Sequence, residues 1–464
     1  MKRIYNYAFA VLATLALVGC EDERNTVIPP SSFPSGGGNN KPTEKVTKFE
    51  TKKVDGVWRL LKEGEEFYIN GAATNNFYAE VKDWGGNVVR TYSTNANTKA
   101  ILDEAWSKGL YVNMGLYMKD CEDFDYASAA NAATIQKQLD DHRTWVRRYM
   151  NHPAVLCWSI GNEAECGDVA KNTAFFKAVE DIAKMIHEED PNHPVTTTFS
   201  TSEPNNRIKV LMQHAPSVDI LSVNAYYPNV GNVAKNVAAA GWDKPWMITE
   251  FGPRGTWNMS STSDPKELSW GCLEEMTSTE KAEIYNKIWR EDIKPNESKG
   301  CIGSFIFVWG YQTHGAVLPW YGLFDKQKNS FGGVDEISEC WTGTTIAKPA
   351  PRIENRSKMT LNGKTSGEGV TVVKNSTGNT ATVEATSPSG ETLNYHWLIY
   401  KEGDKLADGS MPDGIEGLIE DASKPTISFK APSIKGGYRL YVFVTDEVNH
   451  KVALACIPFL VKDN

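Results

Sequence analysis

The sequence has no excess of positive charge. Its 464 residues include 49 Lys and Arg against 58 Asp and Glu, which gives a formal net charge of −9. Proteins that bind nucleic acid present basic patches that displace counterions from phosphates. No such patch is visible here, so the composition argues against nucleic acid as a partner.

Metal-binding signatures are also lacking. The chain has no HExxH, no CxxC, no cluster of Cys and His and no acidic calcium loop. We therefore expect no metal, no cofactor and no loss of activity in EDTA. Seven cysteines follow Cys20, and their odd number and irregular spacing argue against a disulfide framework. Cys157 and Cys301 lie in apolar runs and are expected in the core.

The N-terminus lacks an apolar run long enough to span a membrane. Lys2 and Arg3 precede a short apolar stretch at 8–18, a pattern typical of a signal peptide. The tetrapeptide LVGC that ends at Cys20 resembles a bacterial lipobox. The resemblance implies a signal peptide at 1–19 and a lipid on Cys20, which would be the protein's only contact with a membrane.

Residues 20–45 are predicted to be a flexible tether, because Pro, Ser, Gly and Asn dominate there and cannot bury enough apolar surface to become ordered. Residues 21–23, Glu-Asp-Glu, resemble the acidic signal that sends some Gram-negative lipoproteins to the cell surface. We therefore expect an outer-membrane lipoprotein exposed on the cell envelope.

Residues 46–347 alternate short apolar runs with amphipathic helix patterns. Eight strands separated by helices over about 300 residues predict a (β/α)8 barrel. The predicted strands are 67–73, 87–93, 110–117, 155–163, 194–200, 220–227, 245–252 and 303–310. The predicted helices include 98–107, 133–150, 173–188 and 280–292.

Residues 348–464 lose the helix patterns. Short alternating runs separated by turn residues predict a small immunoglobulin-like β-sandwich, with Trp397 and Tyr438 as its core Trp and corner Tyr. The domain could be a spacer, a carbohydrate-binding module or a packing partner for the barrel. We favour the packing partner, because no aromatic platform is evident from Asp446 onward.

Two predicted strands end in glutamate. The run NHPAVLCWSIGNEAE carries Asn162 and Glu163 at the end of the fourth strand, and KPWMITEFG carries Glu250 at the end of the seventh. Barrel enzymes place their active site at the C-terminal ends of the strands. A glycosidase needs two carboxyl groups there, a protonated acid and an ionised nucleophile.

These stretches resemble retaining glycoside hydrolases of the barrel clan, and most closely those of family 2. NVVRTYS, SVNAYYP and FIFVWG extend the similarity to about two thirds of the chain. We expect no jelly roll or sandwich of the kind that precedes the barrel in family 2. A barrel followed by a small sandwich is similar to glycoside hydrolase family 158, whose members cut β-1,3-glucan.

The resemblance implies a role for each matching residue. Glu163 is the acid/base and Glu250 the nucleophile, with Asn162 holding the sugar 2-hydroxyl. Arg90 orients Glu250 and keeps it ionised, or forms a structural salt bridge. Tyr226 donates a hydrogen bond to Glu250. Trp309 ends the eighth strand as a subsite floor, or belongs to the barrel core.

Weaker candidates surround this set. Glu165 and Asp168 are interpreted as loop carboxylates, since residues so close along a strand end rarely share a catalytic task. His214 and His314 either line the site or are structural. The loop aromatics are candidates for sugar stacking, with core packing as the alternative; they are Trp257, Trp270, Trp320 and Tyr321.

The sequence therefore predicts a retaining glycoside hydrolase that acts on an oligo- or polysaccharide. A surface anchor, a tether and loop aromatics favour endo-cleavage of a polymer, with β-1,3-glucan first because of the family 158 architecture. An exo-acting β-galactosidase, β-glucuronidase or β-mannosidase is the alternative. A barrel that only binds glycans at the surface is the non-enzymatic alternative, and transglycosylation would use the same residues as hydrolysis.

Overall fold

The computed structural model describes residues 45–74, 76–200, 204–312, 320–403 and 414–463. Within them the chain forms two compact units, one made of residues 45–251 and 288–307, the other of residues 252–287 and 308–463. The boundaries predicted for the targeting segment, tether, barrel and sandwich stay predictions. In the part of the chain described here, no helix has the length and apolarity that crossing a membrane requires.

The first unit begins with a small antiparallel sheet. Its strands are β1 (Phe49–Val54), β2 (Val57–Lys62) and β3 (Glu65–Glu66), paired in that order. Phe49 and Leu60 of this sheet are buried in one cluster with Ile69, Leu156 and Ile302 of later strands. The sheet thus packs its apolar face against residues from the first half of those strands.

Eight strands then close into a parallel barrel, which confirms the predicted fold class. They are β4 (Ile69–Ala73), β5 (Val88–Arg90), β6 (Tyr111–Leu116), β7 (Val155–Asn162), β8 (Val195–Ser200), β9 (Ile220–Tyr226), β10 (Trp246–Gly252) and β11 (Cys301–Ile306). The apolar composition of β7 follows from the fold, because a strand of a closed parallel barrel is buried on both faces.

Helices connect successive strands of the barrel. They are α1 (Tyr78–Asp83), α2 (Thr98–Ser107), α3 (Ala132–Tyr149), α4 (Val169–Glu189), α5 (Pro204–His214) and α6 (Val230–Ala240). In α3 the buried residues are His142, Trp145, Val146 and Tyr149, one stripe at helical spacing. A π-helical turn (Ile288–Ile293) and a 3-10 helix (Lys294–Lys299) precede β11.

The second unit contains the C-terminal β-sheets. It includes α7 (Ser278–Lys287), β12 (Ser330–Phe331), α8 (Gly332–Thr342), β13 (Met359–Leu361), β14 (Val370–Val373), β15 (Asn379–Val383), β16 (Asn394–Lys401), β17 (Thr426–Phe429), β18 (Gly436–Asp446) and β19 (Lys451–Lys462). One sheet has the order β12-β19-β18-β16 with β14 also paired to β19, and the other has the order β13-β15-β17.

The two predicted sandwich markers lie in the core of these sheets. Trp397 is buried and donates its indole N–H to the carbonyl of Lys424 at 2.8 Å. Tyr438 is buried and donates its hydroxyl to the carbonyl of Ile434, four residues upstream, at 2.8 Å. A tyrosine bonded back to its own upstream backbone is the corner contact of immunoglobulin-like sandwiches.

Two expectations are corrected. The eighth strand ends at Ile306 rather than at 310, so Trp309 lies in the bend that follows it. Cys121 and Cys166 form a disulfide, which the odd number and irregular spacing of the cysteines did not predict. Cys121 lies in the loop after β6 and Cys166 in the loop after β7, and these two strands are neighbours in the barrel. The spacing of the cysteines along the sequence does not show that proximity. Cys157 and Cys301 are buried, as expected.

Candidate active site

A bulge at the end of β7 sets the direction of the first glutamate. The register against β8 shifts between Ile160 and Asn162. Gly161 has a φ of 72°, a left-handed conformation that glycine tolerates, and a Cβ there would lie 3.2 Å from Met118. Glu163 also has a positive φ, 48°. Such a backbone is uncommon for a residue other than glycine and often marks a functional site.

Glu250 of β10 is buried, and both of its carboxylate oxygens accept hydrogen bonds. Arg90 Nη1 and the Tyr92 hydroxyl donate to Oε1 at 2.9 and 3.0 Å. The Tyr226 hydroxyl donates to Oε2 at 2.6 Å. Arg90 is itself buried and lies over the Tyr92 ring at 4.5 Å. The carboxylate is therefore oriented by three donors and its charge is balanced by a guanidinium.

A chain of amides links the two glutamates. Asn224 of β9 donates from Nδ2 to Glu163 Oε1 at 2.7 Å and to Asn162 Oδ1 at 3.0 Å. The same Asn162 oxygen accepts from Arg90 Nη2 at 2.7 Å. Arg90 thus contacts Glu250 directly. It is linked to Glu163 through the side-chain amide of Asn224, both directly and by way of Asn162.

The environment of Glu163 differs from that of Glu250. Glu163 is partly buried and accepts from Asn224. Burial of the carboxyl, and after it the nearby charge of Glu250, raise the pKa of Glu163 to about 8. Two carboxyl groups at one site, one kept neutral and one paired with a cation, can serve as proton donor and as nucleophile.

Sequence reasoning missed two residues of this network. Tyr92 lies two positions after Arg90, and Asn224 lies two positions before Tyr226. Side chains two apart on a strand point to the same face, so alternation was a usable signal for Asn224 on β9 and for Tyr92 in the predicted strand 87–93, although the observed β5 ends at Arg90. Gly115 of β6 lets the backbone of Tyr92 come close, because a Cβ at that position would overlap it.

The structure thus brings together five of the predicted site residues, Arg90, Asn162, Glu163, Tyr226 and Glu250. The predicted tryptophans belong to the second unit. Trp309 is fully buried, with its ring stacked on Trp341 at 5.7 Å. Trp320 is buried and donates to the Arg254 carbonyl at 3.0 Å. Trp257 is 41% exposed. Their substrate-binding roles stay predictions.

Two other predicted residues, His314 and Cys20, lie outside the described residues. His214 is the last residue of α5, and the chain then returns to the start of β9. It therefore lies toward the end of the barrel opposite to the strand ends that carry the glutamates. The described parts of the chain hold no group of three or more His, Cys, Asp or Glu side chains with metal-binding geometry.

The two loop carboxylates after Glu163 behave differently. Asp168 is exposed and caps α4, where its side chain accepts from the backbone N–H groups of Ala170 and Lys171 at 2.8 and 2.9 Å. Glu165 is buried and paired with Arg207 at 2.7 Å. Both residues lie in the loop after β7, in keeping with their interpretation as loop carboxylates, but only Glu165 is buried in an ion pair.

Parts of the chain are similar to known proteins. Residues 99–270 match the family described as "Glycosyl hydrolases family 2, TIM barrel domain". A β-glucuronidase from Sus scrofa is 33% identical over 101 residues, 22% of this chain and 14% of the relative. A "Probable mannan endo-1,4-beta-mannosidase F" from Aspergillus flavus is 26% identical over 171 residues, 29% of this chain and 36% of the relative.

Among solved structures, a β-D-glucuronidase from Dictyoglomus thermophilum has 17% identity and a TM-score of 0.48, covering 65% of this chain and 54% of that one. The chain spans 14% and 36% of the lengths of the two curated relatives named above. It contains a (β/α)8 barrel, and the part of the chain that carries both strand-end glutamates matches the barrel domain of glycosyl hydrolase family 2.

Proposed function

We propose that this chain is a retaining β-glycosidase, with Glu163 as acid/base and Glu250 as nucleophile. The observation that carries the proposal is the contrast between the two carboxyl groups. The pKa of Glu163 is raised to about 8 by burial and by the charge of Glu250, whereas Glu250 is held by Arg90 and two tyrosines. The match to the family 2 barrel domain supports the same chemistry.

In the first step, a carboxylate oxygen of Glu250 attacks the anomeric carbon while Glu163 gives its proton to the glycosidic oxygen. The bond from carbon to that oxygen breaks, the aglycone leaves with the proton, and the sugar remains as an ester of Glu250. In the second step, Glu163 takes a proton from water, the water oxygen attacks the same carbon, and Glu250 is released. The two inversions retain the anomeric configuration.

We propose that Asn162 contacts the sugar through its amide nitrogen. Its Oδ1 already accepts from Arg90 and Asn224, which leaves Nδ2 as the end that can donate to the substrate. A donor to the 2-hydroxyl stabilises the oxocarbenium-like transition state more than the ground state. Arg90 therefore orients both Glu250 and Asn162.

For the substrate, we propose a β-linked polysaccharide, with β-1,3-glucan tested first. The competing substrates are a β-glucuronide, after the relative from Sus scrofa, and a β-1,4-mannan, after the relative from Aspergillus flavus. We rank β-1,3-glucan first because the chain has a barrel followed by small β-sheets. Neither relative is named for a β-1,3-glucan.

We further propose that the chain is exported and anchored through Cys20 at the cell surface. The disulfide between Cys121 and Cys166 supports export, because disulfides persist in oxidising compartments. Labelling with a fatty acid in the producing cells should mark the wild type and leave Cys20→Ala unlabelled. Equal labelling of both proteins would contradict the anchor.

One experiment tests the activity and the substrate together. The purified protein is incubated with β-1,3-glucan, β-1,4-mannan and a set of aryl β-glycosides that includes a glucuronide, and early products are followed by NMR. We expect retained anomeric configuration in every product, and oligosaccharides of mixed length from the glucan. Products of inverted configuration would refute the mechanism. If the protein released only monosaccharide, and only from the glucuronide, a β-glucuronide would replace β-1,3-glucan as the proposed substrate.

A further inference from the structure

The segment that follows Glu163 is held by contacts with neighbouring barrel elements. The backbone N–H of Glu163 donates to the carbonyl of Thr198 on β8 at 2.9 Å. The carbonyl of Ala164 accepts from the backbone N–H of Cys121, in the loop after β6, at 2.9 Å. The segment is therefore bonded to the elements on both sides of β7.

The disulfide fixes this segment on the β6 side. Cys121 follows β6 and Cys166 follows β7, and both are almost fully buried. Asn172 of α4 is buried beside them, and its side chain accepts from the backbone N–H of Cys166 at 2.9 Å and donates to the carbonyl of Cys166. Cys166 thus has its side chain and both of its backbone polar groups engaged.

Glu165 fixes the segment on the β8 side. Its Oε1 accepts from the backbone N–H of Ser200 at 2.9 Å, from the Ser200 hydroxyl at 3.1 Å and from Arg207 Nη1 of α5 at 2.7 Å. Among the residues that the structure describes, no hydrogen-bond partner reaches its buried Oε2. Burying a carboxylate costs free energy. Asp168 in the same loop is exposed and still accepts two backbone hydrogen bonds. A carboxylate in this loop therefore does not have to be buried to find hydrogen-bond donors.

The acid/base needs such support. The side chain of Glu163 is bonded to Asn224, and its backbone has an uncommon positive φ. A general acid must lie within hydrogen-bond reach of the oxygen that it protonates, and a displacement of about 1 Å can reduce the rate on the order of 100-fold. Holding the residues directly after Glu163 from two sides limits that displacement.

We propose that the Cys121–Cys166 disulfide and the Glu165–Arg207 ion pair form a two-sided clamp that positions Glu163 for proton transfer. The clamp rests on the proposed glycosidase function and adds positioning residues to it. It makes the protonation step dependent on an oxidised disulfide, whereas attack by Glu250 on a substrate that needs no protonation is independent of it.

The test compares two aryl glycosides of the sugar that the wild type hydrolyses. A phenyl glycoside needs protonation of its leaving group, and a dinitrophenyl glycoside does not. The ratio of their kcat/KM values reports the acid step, and a general loss of folded protein leaves the ratio unchanged. The ratio is measured for the oxidised wild type, the wild type treated with a phosphine reductant, Cys121→Ala/Cys166→Ala, and Glu165→Gln.

Glu180→Gln is a matched control. Glu180 of α4 is also buried, accepts from the backbone N–H and hydroxyl of one serine, Ser217, each at 2.9 Å, and pairs with Lys184 at 3.1 Å. It anchors the turn before β9, at the opposite end of the barrel. The second control is the reductant added to the double cysteine variant, which has no Cys121–Cys166 bond to lose.

We expect reduction, the double cysteine variant and Glu165→Gln each to lower kcat/KM on the phenyl glycoside by about tenfold or more, and on the dinitrophenyl glycoside by less than about twofold. Both controls should leave the ratio as it was. If the double variant does not fold, reduction of the wild type and Glu165→Gln decide the question.

An unchanged ratio after reduction and in Glu165→Gln would overturn the clamp while the enzyme stays a glycosidase. The same change of ratio in Glu180→Gln would also overturn it. If the oxidised wild type hydrolyses neither glycoside, the proposed function fails first, and the clamp fails with it.

Discussion

The protonation state of Glu163 gives the sharpest prediction. Burial of the carboxyl and the charge of Glu250 raise its pKa to about 8, from an ordinary value of 4.5. At pH 7, about 90% of a carboxyl group with a pKa of 8 is protonated, against about 0.3% of one with the ordinary value. The site therefore increases the population of the acid form by about 300-fold at neutral pH.

This predicts a pH profile that depends on the leaving group. For a phenyl glycoside, kcat/KM should fall about tenfold per pH unit above pH 8, because the proton donor is lost. For a dinitrophenyl glycoside the same fall should be absent. The pKa of Glu163 is affected by Glu250, Glu165, Arg90 and Asn224. The pH profile therefore reports the titration of Glu163 together with these neighbours.

Substitution Glu163→Gln removes the proton while keeping the shape of the side chain. We expect kcat/KM on the phenyl glycoside to fall by about 10²- to 10⁴-fold, the usual contribution of a general acid, and to lose its alkaline limb. The dinitrophenyl glycoside should lose little in kcat/KM, which reports the first step only. Equal losses on both substrates, or a wild-type limb near pH 5, would refute the assignment of Glu163.

The same contacts support four other predictions. Glu250→Ala should abolish turnover of both glycosides, since no covalent intermediate can form; residual activity equal to that of Glu163→Gln would contradict it. Tyr226→Phe removes the 2.6 Å donor to Glu250 and should lower kcat by about 10²- to 10³-fold at unchanged unfolding temperature; a full kcat would show that the bond is not used. Activity should survive EDTA, and a loss restored by a divalent ion would disprove carboxylate-only chemistry. Because the pKa of Glu163 is raised in the folded protein, its contribution to stability is present at acid pH and is lost as pH rises through about 8. Glu163→Gln should therefore resist urea better than the wild type at pH 9 but not at pH 4. Urea unfolding curves that coincide for the two proteins at both pH values would contradict this.

The barrel itself was predictable from the sequence. Strands of a closed parallel barrel are buried on both faces, so each one is a short apolar run, and each helix shows an amphipathic period. The observed β7 (Val155–Asn162) and β10 (Trp246–Gly252) agree with the predicted runs within one residue at each end. The predicted end of the eighth strand was less accurate, because the backbone turns after Ile306, four residues before the predicted end.

The positions of Glu163 and Glu250 were also determined by the sequence, because each follows an apolar run at the strand end where barrel enzymes carry their catalytic groups. Arg90 and Tyr226 followed from resemblance. Tyr92 and Asn224 were within reach, since Asn224 alternates with Tyr226 on β9 and Tyr92 lies two positions after Arg90 in the predicted strand 87–93, although the observed β5 ends at Arg90. The sequence did not indicate which oxygen of which carboxylate they bind, because that depends on how strands β5, β9 and β10 face one another inside the barrel.

Only the tertiary structure decided the pairing of Cys121 with Cys166 and the burial of Glu165. Both depend on loops that are far apart along the chain and become neighbours when the strands close in order. Spacing and composition carry local information, whereas the pKa of a carboxyl group and the partner of a thiol depend on what lies a few ångströms away in space. The sequence therefore determined which groups carry the proposed chemistry, and the closed barrel decided how they are charged, bonded and held.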